Sequence, residues 1–493
     1  MALDARTPVL VGVGQLNQRT DRPDDALEPV ALMVEAARAA ARDSGAGALL
    51  DEVTTVRVVS LLSWRYRDPG ALVAQRLGLS DAQTVYTEGG GQIVGTLVAR
   101  TAADILKGDV DVALLTGGEA WKTRTAVKRA GDMLHWTEQP DGVAPGEMIG
   151  GALDMWHPAE LARNIRMPVQ VYPLFENALR AAAGRDVADH NRHLARLWAR
   201  FSEVAVANPN AWDRAGHTPE EIATPGAGNR MVGFPYTKLM CSNERVDQAA
   251  AVIMCSAERA EAAGVPRDRW VFPHAVVEAR APYVSERAEL SSSTMVRAAG
   301  ETLWKLVDAD PGDIAHVDLY SCFPSAVEVQ AAELGFDLDR TLTVTGGMRF
   351  AGGPWNNYPM HALATMVEVL RAHPGERGLV SANGGYITKL AAAVFSTEPP
   401  ASGFRHASPQ TVLDAEPRRD VDPEPDGNAT IETYTVMHDR GGVPTEGIVA
   451  CLMPDGRRAW GLVHDGDTLA EMTREEIVGR RATLTPDGAA TIH

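Results

Sequence analysis

Two stretches of this chain repeat one pattern, in which short, wholly apolar runs alternate with segments whose apolar residues fall on a single helical face. Between residues 8 and 120, Val9-Leu-Val-Gly-Val reads as a buried strand and Val30 to Arg42 as a helix. Thr55-Val-Arg-Val-Val-Ser-Leu-Leu is a second strand, and Thr84-Val-Tyr-Thr a third that runs into Gly89-Gly-Gly. Val94, Leu97, Val98, Ala102 and Ile105 mark a helix stopped at Gly108, and Val110-Asp-Val-Ala-Leu-Leu closes the set. Residues 270–396 replay it with strands at Val271–Val277 and Ile314–Tyr320, helices at Met295–Val307 and Met360–Leu370, and a strand from Gly378 into Asn383-Gly-Gly. Strands that are apolar on both faces and separated by helices belong in a parallel sheet covered on both sides. A strand that ends in a glycine cluster and opens a helix, once in each half, predicts two similar α/β units whose strand ends face a shared cleft.

The rest of the chain breaks this rhythm. Residues 121–240 carry Trp121, Trp136, Trp156 and Trp198, several prolines and a helical stretch from Val187 to Ala207, as expected of an insertion folded over the sheet. Val246-Asp-Gln-Ala-Ala-Ala-Val-Ile-Met restores the buried-strand pattern. Around Ala415 to Gly427 the composition turns to charge and proline, as in a linker. Beyond it, Ala429-Thr-Ile-Glu-Thr-Tyr-Thr-Val is rich in strand formers, and two Pro-Asp-Gly turns (454–456 and 486–488) sit between further strands. A small antiparallel barrel is the natural reading. The expected units are therefore 1–120 with 241–265, an insertion over 121–240, a second half over 266–400, a linker over 401–428 and a barrel over 429–493.

The net charge of −18 argues against a nucleic-acid partner, because phosphate backbones attract basic surfaces. No apolar run reaches the ~18 residues needed to span a bilayer, and Met1-Ala-Leu-Asp-Ala-Arg enters the first strand with no secretory apolar region. Cys241, Cys255, Cys322 and Cys451 show no Cys-x-x-Cys spacing, against a disulfide scaffold or zinc site. The expected location is the cytoplasm.

Two α/β halves, a long insertion and glycine-rich strand ends resemble the thiolase superfamily. Met167-Pro-Val-Gln-Val-Tyr-Pro, Asn208-Pro-Asn-Ala and residues 243–254 are similar to segments of the sterol-carrier-type thiolases, and the resemblance runs over residues 8–398. It implies an α/β thiolase fold: two βαβαβ-type halves with a loop-domain insertion, here followed by a small OB-like antiparallel barrel. It also implies four catalytic motifs. The family's nucleophilic cysteine opens a buried helix, whose N-terminus lowers the thiol pKa. Counting back from Gly108 puts it at Gly91, in Glu88-Gly-Gly-Gly-Gln-Ile-Val-Gly95, where nothing can be acylated. The motif that carries His-Asp-Cys-Phe in the sterol-carrier branch reads Leu319-Tyr-Ser-Cys-Phe-Pro324 here. Tyr320 thus stands at the histidine and Cys322 at a buried structural thiol. The Gly-His-Pro motif reads Gly352-Gly-Pro354, with Gly353 for the histidine and His361 an ordinary helix residue. The acid/base cysteine position falls at Ser381 or Ala382 of Ser381-Ala-Asn-Gly-Gly385; a serine hydroxyl is far too weak an acid for that role.

Losing a nucleophile and its base together lowers a rate by on the order of 10⁴–10⁶, so the resemblance implies a scaffold without thiolase chemistry. For Gly89-Gly90-Gly91 two readings stay open: a tight turn or close packing, or an N–H cradle that, with Asn383, Gly384 and Gly385, binds a thioester oxygen. Three functions follow. The first is a CoA or acyl-CoA binding protein with no tightly bound cofactor, whose polyanionic ligand needs a local basic or N–H patch. The second is a retro-aldolase on β-hydroxyacyl-CoA with Tyr320 in proton transfer, similar to thiolase-like aldolases that work with an OB-fold partner, a module the C-terminal barrel would supply in cis. The third is an interaction protein whose cleft is filled by Trp355 and Tyr358. A homodimer, common in the family, and a partner enzyme both remain open.

Overall fold

The apolar run at Val9 becomes the buried part of β1 (Pro8–Asn17). In the computed structural model, which describes residues 3–20, 22–151 and 154–493, the first half continues with β2 (Thr55–Val58), β3 (Gln83–Thr87), β4 (Val112–Ala120) and β5 (Glu147–Ile149). Met1, where the first unit was expected to start, lies outside the described residues, as do residues 2, 21, 152 and 153 of the expected units. The insertion adds β6 (Met231–Gly233) and β7 (Tyr236–Thr237), and β8 (Asp247–Ser256) returns to the sheet.

The first sheet has the order β1-β8-β4-β2-β3-β5. It is mixed rather than wholly parallel: β8 runs against both β1 and β4, while β2, β3, β4 and β5 pair in parallel. The difference follows from the connection, since β8 arrives from the long insertion and only a direct helical crossover enforces parallel pairing. Gly12 and Gly14 let the helix Pro29–Asp43 ride directly on β1, because a Cβ at either position would strike that helix's backbone carbonyls.

The second sheet, β10-β11-β12-β9-β13, is built from β9 (Phe272–Arg280), β10 (His316–Asp318), β11 (Arg377–Gly384), β12 (Lys389–Ser396) and β13 (Arg405–Ala407). The glycine cluster at 383–385 does not open a helix. With Gly385 and Ile387 at positive φ it turns the chain back into β12, antiparallel to β11. The stretch 401–428, expected as a linker, carries β13 on the free edge of β9 and a short helix, Gln410–Asp414. The helices Ile93–Lys107 and Tyr358–Ala372 lie between the two sheets and touch strands of both.

The C-terminal segment forms β14 (Gly427–His438), β15 (Pro444–Leu452), β16 (Arg458–Val463), β17 (Arg481–Leu484) and β18 (Ala490–Ile492). These pair antiparallel in the order β16-β15-β14-β17-β18, and β6 and β7 join them at β14. β16 meets the residue before β18 through one isolated parallel bridge, Leu462 with Ala489, so the element is a curled antiparallel sheet without the continuous closure expected of an OB-like barrel. Among the described residues no helix is long and apolar enough to cross a membrane.

Candidate functional site

The end of β3 delivers Gly89-Gly90-Gly91 to the start of the helix Ile93–Lys107, and the end of β10 delivers Tyr320 to the start of the helix Pro324–Leu334. These two segments meet. A Cβ at Gly91 would lie 2.6 Å from the Tyr320 hydroxyl oxygen and closer still to the Asn383 carbonyl oxygen. Tyr320 therefore fills the space that any side chain at position 91 would need. Three of the positions picked out in the sequence, Gly91, Tyr320 and Asn383, converge here from three separate elements.

Ser381 holds the Tyr320 backbone in place. Its hydroxyl accepts from the Tyr320 backbone N–H at 3.0 Å and donates to Gln330 Oε1 at 2.6 Å, and Gln330 Nε2 returns a bond to the Tyr320 carbonyl at 2.9 Å. The Tyr320 ring rests edge-on against Tyr358, whose hydroxyl bonds to Asp318 Oδ1 at 2.9 Å. Burial, with Cys322 as a second cause, pushes the Tyr320 hydroxyl well above its ordinary pKa, so it stays protonated. Cys322 is buried and its thiol is pushed up to about 12 by desolvation, as befits a structural thiol.

The glycine-rich turns face each other across Gln92. A Cβ at Gly384 would collide with Gln92 Oε1 and lie 3.5 Å from the Gly90 Cα, and one at Gly385 would strike Thr388 Oγ1. Of the six positions read as a possible N–H cradle, Gly89 to Gly91 and Asn383 to Gly385, Gly90 donates its N–H to Asn356 Oδ1 at 3.0 Å. Gly89 instead opens on a cleft of about 320 Å³ that it shares with Gln92, Glu278, Arg280, Lys389 and His406. Burial works to raise the Glu278 carboxyl, but hydrogen bonds from His406 and Thr96 hold it below the ordinary range. Gly353 lies in a different setting: its N–H donates to the Asn243 carbonyl at 2.9 Å and a side chain there would strike Ser242 Oγ. His361 is a buried helix residue bonded to Gln15 at 2.9 Å.

Sequence reasoning missed Gln92, Asn356, Tyr172 and Thr388. Tyr172 accepts from Asn383 Nδ2 at 3.0 Å and donates to the Gly385 carbonyl at 3.0 Å, bracing the turn from the insertion. Gln92 Oε1, Asn383 Oδ1 and Thr388 Oγ1 are buried without a hydrogen-bond partner. Buried polar atoms are rarely left so, and each unmet one costs about 1–3 kcal/mol. The signal for Gln92 was its place next to the triplet; for Tyr172 and Thr388 no local pattern existed.

The family model described as the thiolase-like protein type 1 additional C-terminal domain matches residues 409–489. The structure of a monomeric SCP2-thiolase like protein type 1 from Mycobacterium smegmatis is 31% identical, covers 100% of both chains and superposes with a TM-score of 0.85. The Ltp2-ChsH2(DUF35) aldolase is 19% identical over 80% of this chain and 98% of that one, with a TM-score of 0.60. The dimeric peroxisomal thiolase of Saccharomyces cerevisiae is 14% identical over 80% and 99%, with a TM-score of 0.57. At these identities the last two show a common fold alone. No curated protein matches the sequence.

Proposed function

The chain belongs to the SCP2-thiolase-like proteins of type 1, within the thiolase superfamily, and on that premise we propose that it binds CoA or an acyl-CoA thioester without thiolase chemistry. The observation that carries this reading is the trio of buried, unpartnered polar atoms, Gln92 Oε1, Asn383 Oδ1 and Thr388 Oγ1, gathered around the Gly384–Gly385 turn. They call for a ligand that brings its own polar groups. The adjoining cleft, with Arg280, Lys389 and His406 in its lining, offers the local basic patch that a polyanion needs in an acidic protein. Covalent acyl transfer drops out, since Tyr320 occupies the nucleophile's space and Gly353 and Ser381 replace the other two catalytic groups. Calorimetric titration with CoA, acetyl-CoA and longer acyl-CoAs should give saturable heat; no heat with any of them would sink the reading.

A second reading is favoured by the protonated Tyr320 hydroxyl beside Gly91. In a retro-aldol cleavage of a β-hydroxyacyl thioester, a base removes the hydroxyl proton, the Cα–Cβ bond breaks and an acid protonates the resulting enolate. Tyr320 suits the acid step and not the base step. Tyr320→Phe should then abolish turnover while leaving thioester affinity within a factor of a few. For the units that carry this function we keep 1–120 with 241–265, 121–240, 266–400 and 429–493. The four cysteines, none in a Cys-x-x-Cys spacing, favour the cytoplasm.

A further inference from the structure

Three helices meet where the insertion packs on the second half of the molecule, and each brings one ionisable side chain into the contact. Glu176 comes from Pro168–Ala182, His190 from Val187–Ala207 and Glu328 from Pro324–Leu334. Glu176 and His190 are fully buried and Glu328 is 5% exposed. One ligand atom from each lies within 4.8 Å of the other two. From this geometry we propose that Glu176, His190 and Glu328 form a site for one divalent transition-metal ion of the zinc or cobalt type. The site stands independently of the thioester reading.

Two carboxyls buried side by side share one proton unless a cation takes its place. Burial raises both, and with Glu176 as the second cause Glu328 is pushed up to about 8. Their outward atoms are already held: the Tyr236 hydroxyl donates to Glu176 Oε2 at 2.6 Å, and His193 Nε2 lies 2.8 Å from Glu328 Oε1. His190 Nε2 lies 2.8 Å from Glu176 Oε1, and with no ion between them the Glu176 and Glu328 carboxyls share a hydrogen bond. Carboxylates pinned on one oxygen with the other turned to a shared point are what an outer shell gives a metal site. One imidazole and two carboxylates suit zinc, cobalt or manganese and leave a fourth position open. Arg185 competes for this place, 3.7 Å from Glu328 Oε1 and 3.5 Å from His190 Nδ1. Its side chain is 34% exposed, so it can swing into solvent as the ion enters, the carboxyl proton leaves and His190 carries its proton on Nδ1.

The test uses the full chain, stripped with chelator and titrated with Co²⁺ by visible absorption and with Zn²⁺ by calorimetry. A second cluster, His316, His373 and Glu376, lies at the surface and serves as the internal control. One equivalent should bind, with Co²⁺ d–d bands of a nitrogen/oxygen ligand set. Glu328→Gln and His190→Gln should each weaken it at least ~10-fold, whereas His373→Gln should leave it unchanged. Arg185→Gln, which leaves all three ligands in place, should tighten Zn²⁺ binding several-fold and decides the matter even where a ligand variant folds poorly. No binding by the stripped protein, binding lost only with His373→Gln, or an Arg185→Gln affinity no tighter than wild type would overturn the proposal.

Discussion

A methyl group on Gly91 would press on the Tyr320 hydroxyl and the Asn383 carbonyl, in two residues held by hydrogen bonds at the Tyr320 backbone and the Asn383 side chain. Overpacking of this kind costs about 1–3 kcal/mol, and the site has little freedom to relax while Ser381 and Gln330 grip the Tyr320 backbone. Gly91→Cys should therefore lower the urea midpoint accordingly and yield no thiolysis of acetoacetyl-CoA. An acylated thiol on the introduced side chain, detected by mass spectrometry of that variant, would show that the space is not filled as described. Ser381→Ala should strand the buried Tyr320 N–H and lower stability by about 1–3 kcal/mol. Ser381→Cys should not create an acid/base residue, because its thiol would inherit the same buried bonds; a thiol titrating near neutral pH in that variant would refute this.

At the scale of elements, the helix Tyr358–Ala372 carries a titration that can be measured. Burial pushes His361 down to about 3 from 6.5. The unfolded chain therefore takes up the proton first. The stability associated with the neutral ring is present above pH 6.5 and drains away as pH falls from 6.5 toward 3, at up to about 1.4 kcal/mol per unit. His361→Gln should flatten the acid limb of a stability-versus-pH profile between pH 7 and 5; equal slopes for variant and wild type would rule out a buried neutral imidazole. The same scale shows what could be read in advance. Val187–Ala207 was legible at both ends because Asp186 caps the helix and Asn208-Pro209 stops it, and Gly108 closes the helix from Ile93 in the left-handed conformation. β13 was not legible, since Arg405-His406-Ala407 has no apolar signal and becomes a strand only because β9 leaves an edge open. The hairpin at 383–385 failed likewise: a glycine cluster permits a turn and a helix start equally, and pairing between β11 and β12 decides it. The site was legible motif by motif, yet the encounter of Tyr320 with Gly91 depends on packing between the two halves, which no local spacing encodes.

Across the whole molecule, the C-terminal sheet is built into the rest rather than tethered to it. Ile448, Ala450 and Trp460 share one buried core with both halves and the insertion. The insertion's own β6 pairs with β14, Asn177 Nδ2 donates to the Tyr434 carbonyl at 2.9 Å, and Arg180 pairs with Glu476 at 2.5 Å. Arg458 is the strongest of these ties. Its fully buried guanidinium donates to the carbonyls of Val284, Ser285 and Arg287 at 2.6–3.1 Å and pairs with Glu432 at 2.6 Å. Removing one partner of a buried pair leaves an uncompensated charge and is worth about 3–5 kcal/mol; Arg458→Ala also strips three carbonyls of their donor. That variant should unfold at a markedly lower urea midpoint, with amide exchange accelerated in the 284–287 turn and the insertion as well as in β16. Truncation after residue 408 should act in the same sense and more strongly. It uncovers the apolar faces under Trp460 and Ile448 and deprives β6 of its neighbour, so the shortened chain should aggregate or be cleaved within 168–240 by a protease that leaves the full chain intact. If it instead unfolds in one cooperative step at the wild-type midpoint, the C-terminal sheet is an appendage and the ties through Arg458 and Asn177 carry no weight.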